Sequence, residues 1–145
     1  MTDDVVLKLM FKKLVTCLES ELAEDFLTIL LGAMKAVCLL DGEYRRNIEG
    51  FCGRYQFRSA DDQVQVAVIF DGGTMKVMDD EAIADPHITI TFRDGRALMR
   101  FLLSPKPDIL GGMLRQEVSP SGNLNYLLKF GYMARRLQLI ATGQR

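Results

Sequence analysis

The side chains able to do chemistry are few and scattered. His87 is the sole histidine in 145 residues, and it follows Pro86 directly. On the strand it introduces it falls on the polar face. No serine or cysteine with a carboxylate partner stands at a spacing that would make it a general base, so it reads as a surface or rim histidine. Asp79, Asp80, Glu81 and Asp85 gather as ligands of a hard cation would, but without a ligand at every second residue they read as a solvated loop. Gly111-Gly112 and Asp71-Gly72-Gly73 have neither the glycine spacing of a nucleotide fingerprint nor a lysine at the end. Cys17, Cys38 and Cys52 are widely spaced and form no CxxC, which suits buried free thiols better than a zinc site or a disulfide frame. Arg45-Arg46 and Arg135-Arg136 could meet an anionic headgroup, although a solvated face accounts for them more simply. These residues predict no enzyme, no metal and no cofactor. Any function has to arise from shape and apolarity.

The totals agree. A chain of 145 residues suits one domain, which at that size buries roughly 70% of its unfolded surface. A formal charge of −1 argues against nucleic-acid binding. The N-terminus Met1-Thr2-Asp3-Asp4 is acidic where a signal peptide is basic. The longest apolar run, Phe26 to Leu40, is interrupted by Thr28 and Lys35 and is shorter than the ~20 residues of a membrane span. A soluble, cytoplasmic protein is expected. The eight methionines suit a core or surface that adapts to varied apolar shapes.

The elements that must position these residues follow from periodicity. Residues 3 to about 40 read as helix, with an acidic break over Glu19–Asp25. In the second half Phe26, Ile29, Leu30, Ala33, Met34, Val37 and Cys38 form one stripe, while Leu27, Leu31 and Leu40 fall outside it. Such a helix is predicted to be buried on several sides, within the domain or against a second subunit. From Gly50 the period becomes two. Phe51, Gly53, Tyr55 and Phe57 alternate with Cys52, Arg54, Gln56 and Arg58; a second strand runs through Val64–Phe70, and Asp71-Gly72-Gly73 turns it into a third at Thr74–Met78. A loop delivers a fourth strand, Ile88–Phe92. The short connections predict an antiparallel meander with a polar outer face that needs no cover.

Asp94 is placed to cap a helix in which Ala97, Leu98, Phe101 and Leu102 share a face. Pro105 and Pro107 break it, and a second short helix presents Ile109, Leu110, Met113 and Leu114. Two short helices loosened by glycine and laid over a sheet are expected to act as a lid. A last strand is expected within Arg115–Ser121, either lying at an edge or ending at Pro120, which cannot donate to a ladder. Gly122-Asn123 then opens a final helix marked by Leu124, Leu127, Leu128, Met133, Leu137 and Ile140, with Phe130 beside that face. Leu98, Phe101, Leu102, Ile109, Leu110, Met113, Leu114, Leu127, Phe130 and Met133 come from three helices and could converge on one volume. A well-packed core is the plainer account of them.

The order of these elements resembles the sterol carrier protein 2 (SCP2) lipid-transfer domain over residues 46–142. Asp85-Pro86-His87-Ile88-Thr89-Ile90, Leu98–Leu102, Pro107–Leu114 and Gly122-Asn123-Leu124 stand at the corresponding places. The resemblance implies an α+β fold: a five-stranded, mostly antiparallel sheet with helices covering one face. It implies an apolar tunnel for a fatty acid, acyl-CoA, phospholipid or sterol-like ligand, bound without a covalent step. The ten helix residues named above would form the tunnel wall and Phe70 and Phe92 its floor. Residues 1–41 precede this core as a helical segment that would cap the tunnel, fill it or build a homodimer interface. At most transient membrane contact is implied. The alternative function is an interaction or dimerisation module of the same fold with a filled core and no ligand.

Overall fold

The computed structural model of the protein describes Leu9, Lys12 and residues 23–62, 64–102 and 109–141. Helix α1 spans Ala23–Leu40 and α2 spans Gly42–Arg45; strands β1 (Cys52–Ser59), β2 (Gln65–Asp71), β3 (Thr74–Asp79) and β4 (Ile88–Phe92) follow. Helices α3 (Gly95–Leu102) and α4 (Ile109–Leu114), strand β5 (Val118–Gly122) and helix α5 (Leu124–Ala141) complete the described residues. The sheet is five-stranded in the order β3-β2-β1-β4-β5, antiparallel except where β1 meets β4. The α+β class and the helical cover on one face are as the sequence predicts.

The meander ends at β3. The register Asp71↔Thr74 leaves Gly72 and Gly73 as a two-residue turn with φ of +56° and +114°. A mirror-type turn matches strand twist and asks for positive φ at both positions, which glycine meets without strain. The fourth strand departs from expectation. It pairs parallel with β1, Tyr55↔Ile88 through Ser59↔Phe92. Residues 80–87 carry no glycine turn, and they pass from β3 to the far side of β1. Gln56 lies beneath this crossover and is 5% exposed. Its Oε1 accepts from the Ile83 amide at 2.8 Å and its Nε2 donates to the Glu81 carbonyl at 3.1 Å. The outer face is therefore covered here, contrary to the expectation of an open polar face.

The inner face takes the helices. On α1, Leu27, Leu30, Leu31, Ala33, Met34, Val37 and Cys38 are buried, and Thr28, Gly32, Lys35 and Leu39 form the exposed stripe. The helix packs against α3, α5 and β3, so it lies in the same core as the sheet. It already includes Glu24 and Asp25, which the sequence had assigned to a break; residues 19–22 and the rest of the expected first helix, apart from helical Leu9 and Lys12, lie outside the described residues. Asp41 stops α1 and caps α2 through its Oδ1, which accepts from Glu43 and Tyr44 amides. Strand β5 is an edge, and its Pro120 faces Ile90 without needing a further donor.

Candidate ligand-binding surfaces on the two sides of the sheet

The residues expected to line a tunnel divide into three groups. Phe70, Phe92, Leu98, Phe101, Leu127, Phe130 and Met133 are all buried in one apolar cluster. Met113 and Leu114 are 44% and 76% exposed. The side chains of Leu102, Ile109 and Leu110 lie outside the described residues, as do Pro105 and Pro107.

Between β1, β2 and α5 the space is occupied by rings. Phe57 and Phe130 have centroids 5.0 Å apart, Tyr55 and Phe130 5.6 Å, and Tyr55 meets Phe70 edge-on at 5.7 Å. Two buried hydroxyls fasten the helix above them: Tyr55 donates to the Tyr126 carbonyl at 2.7 Å and Tyr44 to the Met133 carbonyl at 2.8 Å. Burial pushes both phenols above their ordinary range, with nearby Tyr126 and Cys38 adding for Tyr55 and Tyr44 respectively. This orientation corrects the predicted face of α5. Phe130 is central and wholly buried, whereas Leu124 and Leu128 are 44% and 55% exposed. The ring of Phe130 offers more apolar area to the sheet than either leucine, and it sets the rotation of the helix.

The lid side is built differently. Asp94 Oδ1 accepts from the Ala97 amide at 2.8 Å and starts α3, which buries Ala97, Leu98 and Phe101. Helix α4 has six residues, two of them glycine. The turn that follows it reaches Gln116, whose amide donates to the Met113 carbonyl at 3.0 Å and whose φ is +59°. Where α4 runs into β5 a groove of about 310 Å³ opens. It brings together Phe92 and Met113, both expected as tunnel residues, with Thr91, Arg93, Gln116 and Ser119, which the sequence did not signal.

His87 has a role the sequence did not indicate. Its Nδ1 accepts from the Arg54 amide at 2.9 Å, and its ring stacks on Tyr126 with centroids 4.5 Å apart and planes at 4°. Its own amide donates to the Arg54 carbonyl and its carbonyl accepts from Asn123. The residue joins β1, β4 and the start of α5, and its Nδ1 lone pair is engaged. Among the described residues no three of His, Cys, Asp and Glu gather to hold a metal. Cys38 is buried and Cys52 exposed, both as free thiols.

The sheet order and helical cover match solved structures. The solution structure of the sterol carrier protein domain 2 of Helicoverpa armigera superposes with a TM-score of 0.54, over 79% of this chain and 87% of that one, at 14% identity. The fold is SCP2-like. The UbiJ-SCP2 ubiquinone synthesis protein has a TM-score of 0.52 at 12% identity, over 67% of this chain and 75% of that one. The stereoselective inverting sec-alkylsulfatase Pisa1 from Pseudomonas sp. matches at 0.54 and 12% identity over 61% of this chain, which spans 14% of that enzyme. No family model matches the chain, and no curated protein matches its sequence. At these identities the SCP2-like relationship is one of fold.

Proposed function

We propose that this SCP2-like domain is a non-catalytic binding or transfer module for an apolar lipid. The ligand is a fatty acid, acyl-CoA, phospholipid or sterol-like molecule held between sheet and lid helices. The observation behind this reading is the contrast between the two halves of the helical cover. Helix α5 is fastened by two tyrosine hydroxyls and interlocked rings, whereas α4 is short and glycine-containing and ends in exposed Met113 and Leu114. Under this proposal Phe92, Leu98, Phe101, Leu102, Ile109 and Leu110 surround an acyl chain once α3 and α4 part. Phe70, Leu127, Phe130 and Met133 form the fixed wall behind it. Burial of the chain supplies the affinity, at ~25 cal/mol per Å² before ordering costs. No described helix is long and apolar enough to cross a membrane, and membrane contact is read as transient and the location as cytoplasmic. Native mass spectrometry of protein purified from cells, with displacement of a fluorescent fatty acid, tests the reading. A co-purified lipid is expected; protein free of lipid that also leaves the probe unbound rejects it.

The packed rings beneath α5 favour a second reading, an interaction module of the same fold with a filled interior. The exposed stripe of α1, with Leu39 at 68%, would then meet a second copy beside the N-terminal segment. Light scattering separates the two readings, since the module would be a lipid-free dimer.

A further inference from the structure

The edge of the sheet where α4 runs into β5 offers a second site, beside the space beneath the lid helices and sharing Phe92 and Met113 with its expected lining. Phe92 and Val118 are paired in register and buried in the core. The residues alternating with them, Thr91, Arg93 and Ser119, must then face outward. They line the groove of about 310 Å³ together with Ala60, Phe92, Met113, Gln116 and Val118. None of the crossover residues 80–87 lines it.

We propose that this groove binds a small amphiphile with an anionic head. Arg93 is the one charged side chain lining it. Its ion pair with Asp94 is long, 3.7 Å from Nε, and both side chains are about half exposed, at 48% and 45%. Apart from this pair, the Arg93 side chain makes no hydrogen bond among the described residues. Asp94 does not line the groove, and its Oδ1 is already engaged in capping α3. Thr91 and Ser119 are cross-strand partners and bring two hydroxyls to the groove that Arg93 also lines. A carboxylate seated among these donors gains charge-assisted hydrogen bonds. Its aliphatic part meets Met113, a flexible and polarizable surface.

Gln116 is the second observation. A helix end in the left-handed region is ordinarily glycine, because a side chain there is strained. Here the position is held by glutamine at φ +59°, and its side chain is brought to the groove wall. Strain of this kind is tolerated where the side chain serves a site. The volume lies at the small end of ligand pockets, roughly 300–1,000 Å³, which fits a short acyl chain and not a two-chain lipid.

The test is an amide-resolved NMR titration of the full chain with octanoate, octanol and inorganic phosphate. Octanoate is expected to shift Thr91, Arg93, Gln116 and Ser119 to saturation. Octanol should bind roughly tenfold more weakly, as should octanoate to Arg93→Gln, each lacking one charge-assisted contact. Gln116→Gly should raise the melting temperature and weaken octanoate binding together. Equal affinity for octanol overturns the anionic head, and equal affinity for phosphate overturns the apolar component. Shifts confined to Leu98, Phe101 and Phe130, or unchanged octanoate affinity in Gln116→Gly, overturn the groove itself. A lipid-free interior would leave this proposal intact, and an occupied one would not establish it.

Discussion

The Tyr44 hydroxyl donates to the main-chain carbonyl of Met133 at 2.8 Å, across 89 residues of sequence. Tyr55 does the same to Tyr126 at 2.7 Å. The two acceptors lie about two helical turns apart on α5, so α2 and β1 hold the helix at separate points. Tyr44→Phe and Tyr55→Phe keep the rings, and each should lower unfolding free energy by about 1 kcal/mol in urea denaturation. The double variant should lose the sum to within ~0.5 kcal/mol if the points act independently. A loss near zero for either would mean that ring packing alone orients α5.

Gln56 should matter more than its place on an outer strand face suggests. Its amide takes the Ile83 N–H and gives to Glu81, holding the crossover across the sheet. Gln56→Leu removes both bonds and leaves the Ile83 amide over an apolar side chain. The expected cost is about 1–3 kcal/mol. Hydrogen exchange should accelerate over residues 80–87 while α1 and α5 keep their protection. Uniform acceleration would show that the crossover has no local stability of its own.

Local chemistry made much of this fold legible in the sequence. Asp71-Gly72-Gly73 announces its turn because positive φ is cheap only for glycine, and Asp94 and Asn123 announce helix starts because a side-chain oxygen reaches amides two or three residues on. The burial of α1 on several sides follows from Leu27 and Leu31 lying outside its main stripe. Strand neighbours are another matter. Alternation tells which face Ile88, Ile90 and Phe92 share but not which strand they lie beside, so the parallel pairing with β1 was hidden. The rotation of α5 was hidden for a related reason, since Leu124, Leu128 and Phe130 are all apolar and only the opposing sheet decides among them. The groove was least legible. Thr91, Arg93 and Ser119 look like any solvated strand face, and nothing in the sequence places Gln116 at positive φ. That apolar helix residues join a core could be read; whether they leave room for a ligand could not, because packing density depends on all neighbours at once.

Gly122 marks where β5 gives way to α5, at φ +123°, a conformation side chains rarely adopt. A Cβ there would also overlap the His87 carbonyl oxygen and press within 3.0 Å of the Ile88 Cα. Both obstacles are backbone and cannot rotate aside. Gly122→Ala should therefore cost about 3 kcal/mol or more, combining a left-handed penalty with steric overlap. It should also displace the His87 ring from Tyr126, visible as a change in the Tyr126 ring shifts. Gly72→Ala is the control. It too has positive φ, at +56°, but its Cβ meets nothing within 4 Å, so its cost should be the conformational part alone.

Stability should fall on the alkaline side for a cause that can be assigned. Burial pushes the Cys38 thiol from 9.0 up to about 11, with Arg45 opposing the shift. The unfolded chain then loses this proton before the folded one does. Below pH 9 the stabilisation is fully present, and it is lost as pH rises through about 11. Tyr44 and Tyr55, also raised chiefly by burial, should steepen the fall once unfolded phenols ionise above about pH 10. Denaturant titrations from pH 8 to 11 should show the decline, and Cys38→Ala should flatten its first part while lowering stability at neutral pH by loss of packing. Thiol labelling provides an independent check: exposed Cys52 should react in the folded protein, whereas Cys38 should react only at the rate of unfolding. Fast labelling of Cys38 at neutral pH would contradict both the burial and the assigned pH dependence.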